Sequence, residues 1–298
     1  MEWQQILGFY HVARLKSFTR AAEATFRTQS ALTQQVKALE EELGCQLLER
    51  LSKRRIRLTP AGERFFRFAQ TTLENYQCLK EDLLAMRGLA WGALAIAAPF
   101  TTLYHLLPEV VQTYVQLFPA VQLTILDRPQ KEVIELVKQG DADFGLALES
   151  LVPPQLTARR WKEVHTVLLV PRGHPLTTGD PPSLEEMTRY PFILPPRSQD
   201  YRTRHRVEEL FRRQGLAFQV VMESSNVELS SLYVAKGLGI SFATVLTDVP
   251  EPNLGGLNFI PLDHYFPRDH IAVVMRANQG LPRYKQGFLD LLLENPTG

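Results

Sequence analysis

The side chains best suited to catalysis are spread thinly through this chain. Seven histidines (His11, His105, His165, His174, His205, His264, His270) are scattered along 298 residues. None has a partner at the spacing that puts two imidazoles on one helix face toward a metal. Cys45 and Cys78 are the only cysteines. They make neither a disulfide framework nor a zinc-ligand pattern, as expected for two reduced thiols in a cytoplasmic protein. There is no Gly-x-Ser-x-Gly elbow and no phosphate loop, and Gly237-Leu238-Gly239 lacks the third glycine of a dinucleotide fingerprint. His174, before Pro175, reads as a turn residue. These observations count against an enzyme.

A different chemistry is concentrated near the N-terminus. Ser30, Thr33, Gln34 and Lys37 are polar residues of moderate length at helical spacing, opposite a stripe of Leu32, Val36, Leu39 and Leu43. The stripe is expected to be buried. The polar face offers donors and acceptors for base edges and a cation for phosphate, which is what a major groove requires. Shortly afterwards Lys53, Arg54 and Arg55 form a basic run able to reach flanking phosphates or a minor groove. Residues 1–60 hold ten Lys/Arg against six acids, so this segment is +4 and the remainder −3 of a net +1. A basic head on a mildly acidic body suits a DNA-binding module joined to something else.

Specific elements must hold these residues in place. Ser17 is placed to cap a helix over Thr19-Arg20-Ala21-Ala22-Glu23-Ala24, with the two alanines allowing a close helix crossing. Phe26-Arg27-Thr28 breaks the pattern. A second helix starts near Gln29 or Ser30 and ends at Gly44, a left-handed cap. Leu47 to Thr59 fits two short strands with the basic run at their turn. Thr59 and Pro60 then open a long helix running to about Arg87. Along it Phe65 or Phe66, Ala69, Leu73, Tyr76, Leu79, Leu83 and Met86 form a near-heptad seam. Such a rod, on the order of 40 Å long, cannot bury its seam against a sixty-residue head alone, so either a partner helix or another part of its own chain must cover it.

Beyond Gly88 and Gly92, strands and helices alternate. Strands are expected at 94–98, 121–126 and 144–148, with helices at Thr101 to Leu117 and Lys131 to Lys138. This order predicts a largely parallel sheet with helices on its faces. A second set follows: strands at 166–170, 192–194, 219–222, 240–242, 257–261 and 271–275, and helices at 207–214, 227–236 and 284–293. No run of 18 apolar residues exists, and Met1-Glu2-Trp3-Gln4-Gln5 does not read as a signal peptide.

Three stretches together carry a resemblance to the LysR-type transcriptional regulators: Ser17-Phe18-Thr19-Arg20-Ala21-Ala22-Glu23, Gln29 through Gly44, and Leu58-Thr59-Pro60-Ala61-Gly62-Glu63. Gly140-Asp141-Ala142-Asp143-Phe144-Gly145-Leu146, Pro171-Arg172-Gly173-His174-Pro175-Leu176 and Gly237-Leu238-Gly239-Ile240-Ser241-Phe242 extend it over nearly the whole chain. The resemblance implies an α/β protein with an N-terminal all-α winged helix-turn-helix. Its effector part would be two α/β lobes similar to periplasmic solute-binding proteins. The corresponding segments are 1–59 for DNA binding, 60–90 for the dimerising linker helix and 91–298 for the effector. Lobe 1 would take about 91–163 and 266–298, and lobe 2 about 164–265. The implied DNA-binding residues are Thr19, Gln29, Ser30, Thr33, Gln34 and Lys37, with Lys53, Arg54 and Arg55 in the wing. Many members carry Arg where this chain has Gln34, which bears on base preference. The implied partners are a double-stranded DNA operator, a small metabolite effector, further copies of the chain as a dimer or tetramer, and RNA polymerase. No membrane, metal or cofactor is implied.

Ligands of open α/β lobes lie beyond the carboxyl ends of strands. That rule selects Thr101 and Thr102 after the first strand and Arg128 after the second. In the second lobe it selects Arg197 and Ser198 after one strand and Ser225 before a helix. Pro99 and Phe100 stand where many relatives keep a small polar residue, which would make the site more apolar or narrower. A free solute-binding protein is the competing reading, opposed by the basic head and the absence of an export signal.

Overall fold

The computed structural model describes residues 1–52, 55–85, 92–178, 181–197, 202–247, 256–277 and 280–294. Its contacts divide into two units. One is Met1–Gly92 with Asn278–Gln286, and the other is Ala93–Ala277 with Gly287–Gly298.

The first unit opens with three helices, α1 (Trp3–Leu15), α2 (Phe18–Ala24) and α3 (Gln29–Leu43). A two-stranded wing, β1 (Leu48–Ser52) and β2 (Arg55–Leu58), leads into the long α4 (Pro60–Ala85). Local chemistry sets the boundaries. The Ser17 hydroxyl accepts from the Arg20 N–H, the Thr28 hydroxyl accepts from the Ala31 N–H, and Gly44 ends α3 at φ 66°. Ala21 and Ala22 are buried where the helices meet. Phe26, between α2 and α3, adopts φ 53° and is 98% exposed. Leu32, Val36 and Leu39 enter the core with Phe9 and Val12, but Leu43 does not. It is 41% exposed as the last residue of α3, next to the Gly44 cap.

The second unit runs β3 (Gly92–Ala98), α5 (Phe100–His105), α6 (Pro108–Leu117), β4 (Val121–Asp127), α7 (Gln130–Gln139), β5 (Phe144–Leu148) and β6 (Leu156–Pro171). It continues through α8 (Leu184–Met187), β7 (Phe192–Leu194), α9 (Arg202–Arg213), β8 (Val220–Glu223), α10 (Val227–Ala235) and β9 (Ile240–Leu246). It closes with β10 (Leu257–Pro261), β11 (Asp269–Arg276) and the part of α11 (Arg283–Glu294) from Gly287 onward. Among the described residues the strands lie in the order β4-β3-β5-β11-β6-β9-β7-β8, with β10 paired to β6.

The sheet is mixed rather than largely parallel. β3–β5, β7–β8 and β7–β9 pair in parallel, whereas β11–β5, β11–β6, β6–β9 and β10–β6 are antiparallel. The cause is β6, a 16-residue strand that carries the chain from the first lobe into the second, while β11 brings it back. The half of β6 containing Arg159, Arg160, Lys162 and Glu163 has no apolar run to announce it. Its other half alternates: Leu168 and Val170 face one core of lobe 2, Val167 and Leu169 the other. The helix expected from Thr101 to Leu117 is two helices. Pro108 has no N–H to continue the first and instead occupies the opening position of the second. No described helix is long and apolar enough to cross a membrane.

Candidate nucleic-acid interface and ligand cleft

The outer face of α3 is held by contacts behind it. The Glu40 carboxylate, on the far end of the helix, accepts from the N–H groups of Leu47 and Leu48 at 2.8 and 3.0 Å. The wing is thereby fixed to α3. On the other side of the wing, the Thr59 hydroxyl donates to the Gln46 carbonyl at 2.7 Å and accepts from the Gly62 N–H at 2.9 Å. α4 comes so close here that a Cβ on Gly62 would fall 1.9 Å from the Leu47 carbonyl oxygen. Only glycine fits this approach.

On that frame Thr19, Gln29, Ser30, Gln34 and Lys37 are exposed and Thr33 is half-buried. The Thr19 hydroxyl donates to Gln29 Oε1 at 3.3 Å, joining α2 to the start of α3. The Thr33 hydroxyl donates to the Gln29 carbonyl at 2.9 Å, and the Ser30 hydroxyl lies 3.1 Å from that of Thr28. Lys37 sits 3.5 Å from Glu41 with both side chains largely exposed, a pair weak enough to be exchanged for phosphate. Lys53 and Arg54 lie outside the described residues. Arg55 opens β2 opposite Ser52, so its backbone is placed at the strand ends.

A cavity of about 940 Å³ lies in the second unit. Its wall takes Thr101, Thr102 and His105 from the α5 region, Trp161, Lys162 and His165 from β6, and Glu228 and Ser231 from α10. Thr101 and Thr102 are therefore brought to the cavity. Arg128 is not: it donates to the Asp127 carbonyl at 2.7 Å and stands 3.6 Å from Glu132. Nor is Arg197, which is 74% exposed and donates to Glu208 at 2.9 Å. Ser225 is exposed and off the wall, and Ser198 lies outside the described residues.

Several wall residues escaped the sequence reading. Trp161 Nε1 and Thr247 Oγ1 are buried on the wall and find no hydrogen-bond partner among the described residues. His105 and Glu228 meet across the cavity at 2.6 Å. These residues carry no local motif: the pairing of β6 with β9 brings Trp161 and Thr247 to one region, and His105 and Glu228 lie 123 residues apart in the chain. Among the described residues no cluster of three or more His, Cys, Asp or Glu is placed to hold a metal.

Two family models match the chain. Residues 3–63 match the bacterial regulatory helix-turn-helix protein, lysR family. Residues 87–297 match the LysR substrate binding domain. The HTH-type transcriptional regulator cbl of Escherichia coli is 30% identical over 295 residues, covering 98% of this chain and 92% of the relative. The HTH-type transcriptional regulator SsuR of Burkholderia cenocepacia is 26% identical, covering 98% and 94%. Among solved structures, the cofactor-binding domain of the Cbl transcriptional regulator superposes with a TM-score of 0.58 at 31% identity, covering 68% of this chain and 89% of that one. Full-length OxyR from Pseudomonas aeruginosa gives 0.65 at 25%, covering 98% and 97%.

Proposed function

Since the chain belongs to the LysR family of bacterial helix-turn-helix transcription regulators, we propose that it reads its operator through the exposed polar face of α3. Gln29, Ser30, Thr33 and Gln34 contact base edges, with Thr19 and Lys37 at their margin. Lys53, Arg54 and Arg55 hold phosphate from the wing. The observation that carries this reading is the outward set from Gln29 to Lys37 on a helix capped by Thr28 and anchored to the wing by Glu40, with Thr19 of α2 bonded to its start.

A small metabolite binds in the cavity against Thr101 and Thr102. The unpartnered polar atoms of Trp161 and Thr247 on the same wall support a ligand that offers hydrogen-bond acceptors. The chain acts as a homo-oligomer, a dimer formed along residues 60–90 and a tetramer built from two dimers. Tyr76, Leu79 and Leu83 support this, since each is about half exposed on α4 in the single chain. Two heads then match a pseudo-palindromic operator. The site of action is the cytoplasm, where RNA polymerase is the further partner.

Selection of duplexes from a random pool by the full chain tests the reading. It should return a two-fold site. Gln34→Ala should relax one base-pair step by about 1–3 kcal/mol of discrimination. Equal losses on selected and random DNA would overturn base reading by Gln34.

A further inference from the structure

The two lobes of the effector unit are joined covalently through β6 and the β10–β11 connection. A side-chain link lies away from these strands. His105, the last residue of α5, donates from Nε2 to Glu228 Oε1 at 2.6 Å. Glu228 stands in the first turn of α10, 123 residues further along the chain. Both residues belong to the wall of the 940 Å³ cavity, and their side chains are 37% and 25% exposed, as at a mouth rather than a floor.

The helices carrying the pair are rooted differently. α5 is six residues long, with Thr102 its single buried residue, and chain-breaking prolines stand at positions 99 and 108. α10 is anchored by buried Ser230, Ser231 and Val234, and Asn226 caps its start. Tyr104 sets its ring edge-on to the His105 imidazole, with centroids 4.9 Å apart, and Phe100 stacks on Tyr104 at 5.4 Å. The imidazole is thereby oriented from its own helix before it meets Glu228. Glu109, Lys162 and His165 are the other ionisable groups on the wall.

We propose that His105 and Glu228 form a clasp across the effector cleft. The inference rests on the reading of the cavity as the effector site. The clasped arrangement is the closed one, and entry or exit of a ligand requires the pair to part. α5 is the arm that moves, because it has less to hold it than α10. A ligand then shifts the open–closed equilibrium only by its different affinity for the two forms, and the clasp sets where that equilibrium stands beforehand.

Hydrogen exchange on the full-length protein without ligand tests this, each substitution being read in the opposite lobe. Glu228→Ala should speed amide exchange in Phe100–His105 roughly three- to ten-fold, and His105→Ala should do the same in Val227–Ala235. The double variant should exceed neither single by more than its own helix's local change. Glu228→Gln, which keeps an acceptor for Nε2, should restore most of the protection. A purely local role would loosen only the helix that carries the substitution. Unchanged exchange in both opposite helices would overturn the clasp, as would failure of Glu228→Gln to restore protection. Operator binding by the same preparations is scored separately. Wild-type protein that binds no DNA would sink the regulator reading while leaving the exchange result to decide the clasp.

Discussion

In the N-terminal unit the residues assigned to DNA span positions 19 to 55, and those on α3 sit on one face of one helix. In the effector unit the cavity wall gathers Thr101, Trp161, Glu228 and Thr247, which are separated by most of the domain. The first arrangement is made by local rules: a cap at Thr28, a stop at Gly44 and an apolar stripe behind. The second is made by sheet pairing, since β6 must run beside β9 before Trp161 approaches Thr247. A reading face built locally tolerates little change in its frame. A wall assembled from distant segments can exchange side chains while the frame stands.

The largest effect expected from this contrast is at Gly62. Alanine there gains about 1 kcal/mol of helix propensity. Its Cβ, however, would stand 1.9 Å from a backbone oxygen of the wing, which cannot rotate away as a flexible side chain would. The start of α4 or the wing must shift, costing about 3 kcal/mol or more. Denaturant unfolding of Gly62→Ala should show that loss, with operator affinity falling alongside it. Stability within error of wild type would mean that the head yields more readily than its geometry implies.

The same contrast decides what was legible beforehand. Ser17 and Gly44 act within a few residues of where they stand, Thr59 and the wing strands within about a dozen, and the sequence pattern locates them. Leu43 shared the period of the stripe but not its burial: it is the last residue of α3, and periodicity alone does not say how far along a helix the packing reaches. Pro108 divided an expected helix, although a proline at that place is itself a local signal. The rule that ligands lie beyond strand ends brought Thr101 and Thr102 to the cavity. It did not separate them from Arg128 and Arg197, whose partners Glu132 and Glu208 sit on the following helices. His105 and Glu228 had nothing nearby to announce them. Their link exists only once both lobes are folded.

A second prediction separates function from stability in the cleft. Thr101→Val keeps the shape of the side chain and removes its hydroxyl. For a half-buried residue that makes no side-chain hydrogen bond among the described residues, the cost should stay below about 1 kcal/mol. A metabolite found by thermal shift on the wild-type chain should lose its effect on Thr101→Val, while operator binding without it is unchanged. A normal response from Thr101→Val would move the ligand site away from α5 and weaken the division between frame and wall.

The smallest effects concern Arg197 and Glu208, which test whether an arginine at a strand end belongs to the ligand or to the scaffold. Burial pushes the Glu208 carboxyl up, but hydrogen bonds from Arg204 and Arg197 and their positive charges outweigh it, so its pKa lies below the usual 4.5. A carboxylate with a lowered folded pKa contributes stability that is fully present above its unfolded value. That contribution is lost as pH falls below about 4.5 and through the folded value. Arg204 makes the contribution matter, because its side chain is only 3% exposed and donates to Glu208 at 2.6 Å and to the Pro195 carbonyl at 3.1 Å. Glutamine there keeps an acceptor for Arg204 but removes the negative charge that offsets this buried cation. Glu208→Gln should therefore cost about 1–2 kcal/mol at neutral pH. The difference from wild type should shrink steadily once the pH drops below 4.5. Arg197 is on the exposed side of the same carboxylate, and Arg197→Ala should cost no more than about 0.5 kcal/mol. If Arg197 serves the scaffold, that variant keeps its response to the metabolite that Thr101→Val no longer detects. Loss of the response in Arg197→Ala, with stability intact, would instead bring this arginine to the ligand and require the segment that follows β7 to approach the cavity in the bound form.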